Sequence, residues 1–361
     1  MTAARHFAQS YDEARCKFLD AVKACDLDVT SHLHPMRGRD GELLAMDIVR
    51  DGPPDAPVVL IITSGCHGIE GFCGSGAQVA LLRDASWREL ARSAGVAVLY
   101  IHALNPYGFS WWRRVTQENV DLNRNFRDFS TPPPPSPQYD EIAHLLVPST
   151  WPPSPEVNAA LQRHVAEHGE RALQTTISGG QYTHPEGLFY GGVNPTWSHV
   201  TLRHVLHEEA SRCSRLGWID LHTGLGPSGH GERIFACKDD TAALSRARRW
   251  WGEEVTSIYD GSSTSAMLSG LMWLAAYEEC PQAEYTGIAL EFGTQPLEQV
   301  MNALRADQWL ENHPEVAAAP RAHIKRQLLD AFYTDTGEWK ERVVEQTFDA
   351  ARQAVRGLAA Q

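Results

Sequence analysis

Apolar positions along the chain follow two different periods. Between residues 6 and 24, Phe7, Tyr11, Ala14, Phe18, Leu19 and Val22 recur at helical spacing and predict an amphipathic N-terminal helix. Residues 43–49 and 57–63 carry apolar, β-branched runs and predict two strands around the turn Asp51-Gly52-Pro53-Pro54. A helix is expected over about 76–94, and Val96-Ala97-Val98-Leu99-Tyr100-Ile101 reads as a further buried strand. Leu216-Gly217-Trp218-Ile219-Asp220-Leu221 and Thr286-Gly287-Ile288-Ala289-Leu290 read as two more. From about residue 297 the pattern is helical, ending in a long helix near 339–358.

Strands that are apolar throughout, alternating with helices, predict an α/β fold. Its central sheet is expected to be mixed, mostly parallel and covered by helices on both faces. The proline-rich stretches 131–137 and 151–155 read as stiff exposed connectors, not domain boundaries. The expectation is therefore a single domain over 1–361, with a core at about 40–300 and a helical C-terminal segment at about 297–361. Ligands of such sheets collect at the carboxyl ends of the strands. His67 and the segment after Ile101 fall at such ends.

A formal charge of −13 over 361 residues disfavours nucleic acid and anionic membranes as partners. No run approaches the length of a membrane span, and residues 1–7 lack the apolar stretch of a secretory signal. The seven cysteines are scattered and odd in number, which predicts reduced thiols and a cytoplasmic protein. Cys66 and Cys73 match no thiolate zinc spacing and read as small buried side chains. No feature of the sequence specifies an oligomeric state.

The chemistry-bearing residues cluster at the predicted strand ends. Ser64-Gly65-Cys66-His67-Gly68-Ile69-Glu70 places an imidazole and a carboxylate three residues apart, both ordinary zinc ligands. His222 stands where another strand runs into a glycine turn and could complete a three-ligand set. Asn105-Pro106-Tyr107-Gly108, Trp112-Arg113-Arg114 and Asn119-Val120-Asp121-Leu122-Asn123-Arg124-Asn125-Phe126 follow between them. Adjacent Asn and Arg can grip a carboxylate, and a second Arg can steady an oxyanion. Glu291 ends an apolar strand, where partial burial raises a carboxyl pKa into the range for proton transfer near neutrality. Each has an ordinary structural reading as well: a satisfied turn, a polar strand end, a solvated basic loop.

In chain order, His-x-x-Glu at 67–70, Asn-Pro-x-Gly at 105–108, Val-Asp-Leu-Asn-Arg-Asn-Phe at 120–126, the later His222 and Glu291-Phe292 together resemble the zinc carboxypeptidase superfamily. Asp220-Leu221-His222-Thr223-Gly224 and Glu291-Phe292-Gly293-Thr294-Gln295-Pro296 are similar to the aspartoacylase and succinylglutamate desuccinylase branch, and to a bacterial group described as a domain of unknown function. The resemblance spans roughly residues 40–300. It implies one zinc per chain, held by His67, Glu70 and His222, with Glu291 as general base and then general acid. It implies Asn123 and Arg124 as the grip on a substrate carboxylate, Arg113 or Arg114 as the oxyanion donor, and Asp121 as a carboxylate orienting a ligand histidine. Tyr259 is weakly similar to a substrate-capping tyrosine and reads equally as a packed aromatic.

The segment 179–192 has no counterpart in the secreted carboxypeptidases and reads as a loop shaping the pocket, which puts an extended peptide substrate in doubt. His184 and His230 lie in such loops and read as surface histidines. The expected function is hydrolysis of an amide or peptide bond next to a free carboxylate, on a small molecule or short peptide. A zinc-dependent esterase or deacylase of small acyl substrates is the alternative, and a non-catalytic binding module a further one.

Overall fold

In a computed structural model describing residues 2–360, seven strands form one mixed sheet. They are β1 (Thr30–Arg37), β2 (Leu43–Asp51), β3 (Val58–Ser64), β4 (Ala97–His102), β5 (Arg215–Ser228), β6 (Gly231–Phe235) and β7 (Glu284–Gly293). Their spatial order is β1-β2-β4-β3-β5-β7-β6. The centre, β4-β3-β5-β7, is parallel. β1 and β2 extend it antiparallel at one edge and β6 at the other. Every residue of β3 and β4 is buried, because helices cover both faces, and this is why both strands read as continuous apolar runs.

The N-terminal helix is Tyr11–Ala24, with the Ser10 hydroxyl accepting the Glu13 N–H at 3.1 Å; a separate 3₁₀ turn, Ala3–His6, precedes it. The helix expected over 76–94 is two helices, Gly71–Leu82 and Ala85–Ser93. Asp84 breaks them apart by capping the second, accepting the Trp87 N–H at 2.7 Å. The long terminal helix is Gly337–Ala359; it packs along β3 and β5 and against Gly71–Leu82, Ala85–Ser93 and Thr241–Trp251. Between the two proline-rich connectors and beyond the second lie the helices Pro137–Leu146, Pro155–His168 and Glu170–Ser178. Among the described residues no helix is long and apolar enough to cross a membrane.

Two strands have no counterpart in the hydrophobic pattern. β1 is an edge strand with one buried residue, His34, and carries Pro35, which an edge tolerates because it need not donate to a ladder. β6 is five residues long, too short for its alternation to stand out.

At the carboxyl ends of β3 and β4 a glutamine bridges the two strands. Gln78, fully buried on the helix Gly71–Leu82, donates to the Ile62 and Ile101 carbonyls at 2.9 and 3.1 Å and accepts the Ser64 hydroxyl at 2.8 Å. Gln78→Leu keeps the bulk and strands these groups. We expect a loss of about 2–4 kcal/mol in unfolding free energy, the scale of unsatisfied buried polar groups. A denaturant titration checks it, and a loss under about 1 kcal/mol would show that the strand ends do not depend on this side chain.

Candidate metal centre

His67, Glu70 and His222 reach one point from two strand ends. β3 stops at Ser64, and the chain turns through a short 3₁₀ segment, Gly68–Glu70, with His67 as its cap. Side chains three apart in that geometry eclipse each other, so His67 and Glu70 project together. Glu70 also stands at the start of the helix Gly71–Leu82, where a carboxylate is favoured by the helix dipole. His222 lies on β5, directly beside Glu291 of β7 in the parallel register.

Nδ1 of His67 is 2.8 Å from Oε1 of Glu70, and Nδ1 of His222 is 3.0 Å from its Oε2. The outer nitrogens face carboxylates: Nε2 of His67 is 3.2 Å from Asp121 and Nε2 of His222 is 2.5 Å from Asp220. Metal-binding imidazoles are held in this way, the outer carboxylate fixing ring and tautomer. Asp121 is itself fixed by Arg114 Nε at 2.9 Å and the Asn123 N–H at 3.0 Å. Asp220 accepts the Thr63 hydroxyl at 2.6 Å.

The charges are strongly coupled. Burial would raise the Glu70 pKa, but charge on His67 and hydrogen bonds from His222 and His67 hold it well below the usual carboxylate range. Burial would lower the His222 pKa, but Asp220 and Glu70 outweigh it and hold it well above the usual value. Asp121, also buried, is held low by Arg114, Arg124 and His67. Glu291 behaves in the opposite sense: burial first, then the nearby Glu70 carboxylate, raise it to about 8. One of its oxygens accepts the Leu225 N–H at 3.0 Å. That donor is delivered by a register shift between Thr223 and Ser228, which loops residues 224–227 out of the ladder.

Among the described residues two sets bring ligand atoms within 4.8 Å of one another: His67, Glu70 and His222, and Cys66, Asp220 and His222. The first fits a divalent metal better. It presents two imidazole nitrogens and a carboxylate to the cleft and leaves both outer carboxylates in place. The second would need a thiolate, and burial together with Asp220, Asp121 and Glu70 pushes the Cys66 thiol pKa well up.

These groups open onto one cleft. Asn123, Arg124, Arg114, Glu291 and Phe189 all line it. Arg114 donates to Glu70 Oε1 at 3.1 Å and lies 2.8 Å from His67 Nε2. Its neighbour Arg113 points elsewhere, to Asp307, Asn119 and Gln308. Arg124 is buried, with Nε and Nη2 on the Ser178 carbonyl and Nη1 on the Asn123 carbonyl. Tyr259 donates to the Cys237 carbonyl at 3.0 Å and does not line the cleft; Ile258 does. His184 pairs with Asp140 and His230 is exposed, and neither lines the cleft. All seven cysteines are free, with Cys66 and Cys73 buried.

Sequence reasoning gave no role to Asp220. The signal was present: residues two apart on a strand share a face, so Asp220 and His222 had to point the same way. Phe189 carried no such signal, because its place depends on the path of a long loop.

A family model described as protein of unknown function (DUF2817) matches residues 7–346, and the chain belongs to that family. It matches no curated protein. Among solved structures it is similar to the carboxypeptidase A of Helicoverpa armigera, at 13% identity and a TM-score of 0.48 over 98% of this chain and 74% of that one. It is also similar to a metallo-carboxypeptidase of Burkholderia cenocepacia, at 10% identity and a TM-score of 0.43 over 98% of this chain and 70% of the other.

The donor set predicts that protein purified without added metal carries one zinc per chain, read by elemental analysis. His67→Ala and His222→Ala should each lose it while circular dichroism stays native. Asp220→Ala should keep a complete ligand set yet bind metal about 10–100-fold more weakly, the usual cost of losing an outer carboxylate. Unchanged affinity in Asp220→Ala, or full occupancy in His222→Ala, would contradict the assignment.

Proposed function

For this member of the DUF2817 family we propose a zinc-dependent hydrolase that cleaves an amide bond next to a free carboxylate, on a short peptide or an N-acyl amino acid. The observation that carries the reading is Glu291. It is a buried carboxyl of raised pKa, set on the strand beside His222 and opening onto the cleft that the three candidate ligands line. Zinc held by His67, Glu70 and His222 would supply a positive charge that acidifies a water and polarises an acyl carbonyl. The rest of the chemistry belongs to the chain.

Glu291 takes a proton from the attacking water as the new C–O bond forms. It then delivers that proton to the leaving nitrogen as the C–N bond breaks, giving an acid and an amine. The Leu225 N–H holds one Glu291 oxygen and keeps the carboxylate oriented. Arg114 spends its Nε N–H on Asp121 and one Nη1 N–H on Glu70, and its Nη2 lies beside His67. Each terminal nitrogen keeps a second N–H for the oxygen that becomes negative. Arg124 and Arg114 are the guanidinium groups among the described cleft residues. Arg124 also keeps an N–H on each terminal nitrogen, and the Asn123 amide, whose oxygen accepts the Met272 N–H, keeps both of its donors. This supports the pair as the grip on a substrate carboxylate.

The wall beyond Glu291 is apolar. Ala289 lies two residues earlier on the same face of β7 and is partly exposed to the cleft, with Ala236, Ile258, Ala266 and Leu271 around it. That supports an apolar side chain beside the scissile bond.

Glu291→Gln tests the reading. It should retain zinc and substrate binding and lose at least about 10²-fold in turnover, the scale of general acid–base catalysis. For the wild type, turnover requires ionised Glu291, so kcat/KM should climb as pH rises through its pKa. A bound cation pulls that value down from about 8, so the ascending limb should fall between the ordinary 4.5 and about 8. The assay pairs N-acyl phenylalanine and leucine with N-acyl aspartate, each as free acid and amide. Cleavage of the apolar free acids first is the expected result; turnover in Glu291→Gln equal to wild type would move the base elsewhere.

A further inference from the structure

The loop running from Gly180 to Gly192 takes no part in the chemistry above, yet it places one aromatic ring against both cleft arginines. Phe189 is buried and lines the cleft. Its φ is +52°, a left-handed conformation that bulky side chains rarely adopt and that persists only where the surroundings impose it. The surroundings here do so. The Leu188 N–H donates to the Tyr139 hydroxyl at 2.7 Å, and the Leu188 carbonyl accepts from the Gln181 side chain at 3.1 Å. The Phe189 carbonyl accepts the Gln181 N–H at 3.2 Å, and the Tyr190 carbonyl accepts the Asp121 N–H at 2.8 Å. Cζ of Arg114 then lies 5.0 Å from the ring centroid and Cζ of Arg124 5.6 Å.

We propose that Phe189 is a positioning residue that holds Arg114 and Arg124 on one ring and so fixes the spacing between the oxyanion donor and the carboxylate anchor. This rests on the hydrolase reading above. The two guanidiniums are like charges in a buried site, and they share one nearby carboxylate, Asp121, at 2.9 Å from Arg114 and 4.0 Å from Arg124. An aromatic ring attracts both cations without neutralising either, which leaves their charge for the substrate. The Asp121 N–H bond to Tyr190 ties the ring to the residue that also orients His67. A fixed spacing selects substrates with a carboxylate at one set distance from the scissile carbonyl, as in an α-amino acid acylated on nitrogen.

The test uses calorimetry on the Glu291→Gln protein, which should bind without turning over, with N-benzoyl-L-phenylalanine and its amide as probes. The parent should prefer the acid by about tenfold or more, as a charge-assisted bidentate contact gives. Adding Phe189→Leu keeps apolar bulk and removes the ring; the preference should fall to about twofold or less, with metal content unchanged. Phe189→Tyr keeps the ring and should keep the preference. Phe189→Met serves as the second ring-free variant if Leu prevents folding. A folded ring-free variant that keeps the parent's preference overturns the clamp and leaves the hydrolase reading standing. So does a folded Phe189→Tyr variant that loses it. A parent that binds acid and amide equally removes the carboxylate anchor itself, and the clamp with it.

Discussion

The carboxylate of Glu70 is the point on which the cleft depends. It is buried and meets two imidazole nitrogens, the Thr223 N–H at 3.1 Å and the Arg114 guanidinium. Those partners come from β5 and from two loops. A buried charge is tolerable only when it is paired and hydrogen-bonded, so the four partners must be in place together. The approach of the loops is set by small residues. A Cβ on Gly68 would stand 2.1 Å from the Gly108 carbonyl carbon, so the two backbones touch only because Gly68 lacks a side chain. The Gly68 and Ile69 N–H groups then donate to the Arg114 and Arg113 carbonyls at 3.0 and 2.8 Å. Asn105, whose side chain accepts the Gly108 N–H at 2.9 Å, starts the turn. The Asn-Pro-x-Gly run is thus geometry in service of Glu70.

From that point the site follows the sheet. The central strands are parallel, so their carboxyl ends open on one edge, and His67, His222 and Glu291 all leave from there. Oriented carboxylates and guanidiniums alternate outward: Glu70, Arg114, Asp121, Arg124. Glu291 stands apart from this chain of pairs. Among the described residues no cation is bonded to it, and burial beside Glu70 raises its pKa where those of Glu70 and Asp121 are depressed. The separation of a permanently ionised carboxylate from one that can hold a proton is what distinguishes a ligand from a base.

Much of this was legible in the sequence, because buried parallel strands announce themselves as apolar runs and the candidate ligands sit where those runs stop. β3, β4, β5 and β7 follow from that pattern, with ends shifted by a residue or a few; β5 extends beyond expectation through its looped-out residues. β1 was hidden because it buries one side chain in eight, and Asp84 broke a helix that periodicity alone would continue. Which of Arg113 and Arg114 faces the ligands turns on Asp307, almost two hundred residues away, and so could not be read locally. Tyr259 is held by the Cys237 carbonyl for the same long-range reason, and Phe189 reaches the arginines by a loop path that no periodicity encodes.

We propose that a metal sits on His67, Glu70 and His222 and that Cys66 and Asp220 do not ligate it. X-ray absorption at the zinc edge on the purified protein separates the two sets directly, because the ligand atoms differ. Binding by His67, Glu70 and His222 gives only nitrogen and oxygen neighbours, at about 2.0–2.2 Å, with imidazole scattering from two histidines. A sulfur neighbour at about 2.3 Å would place the metal on Cys66 and contradict it.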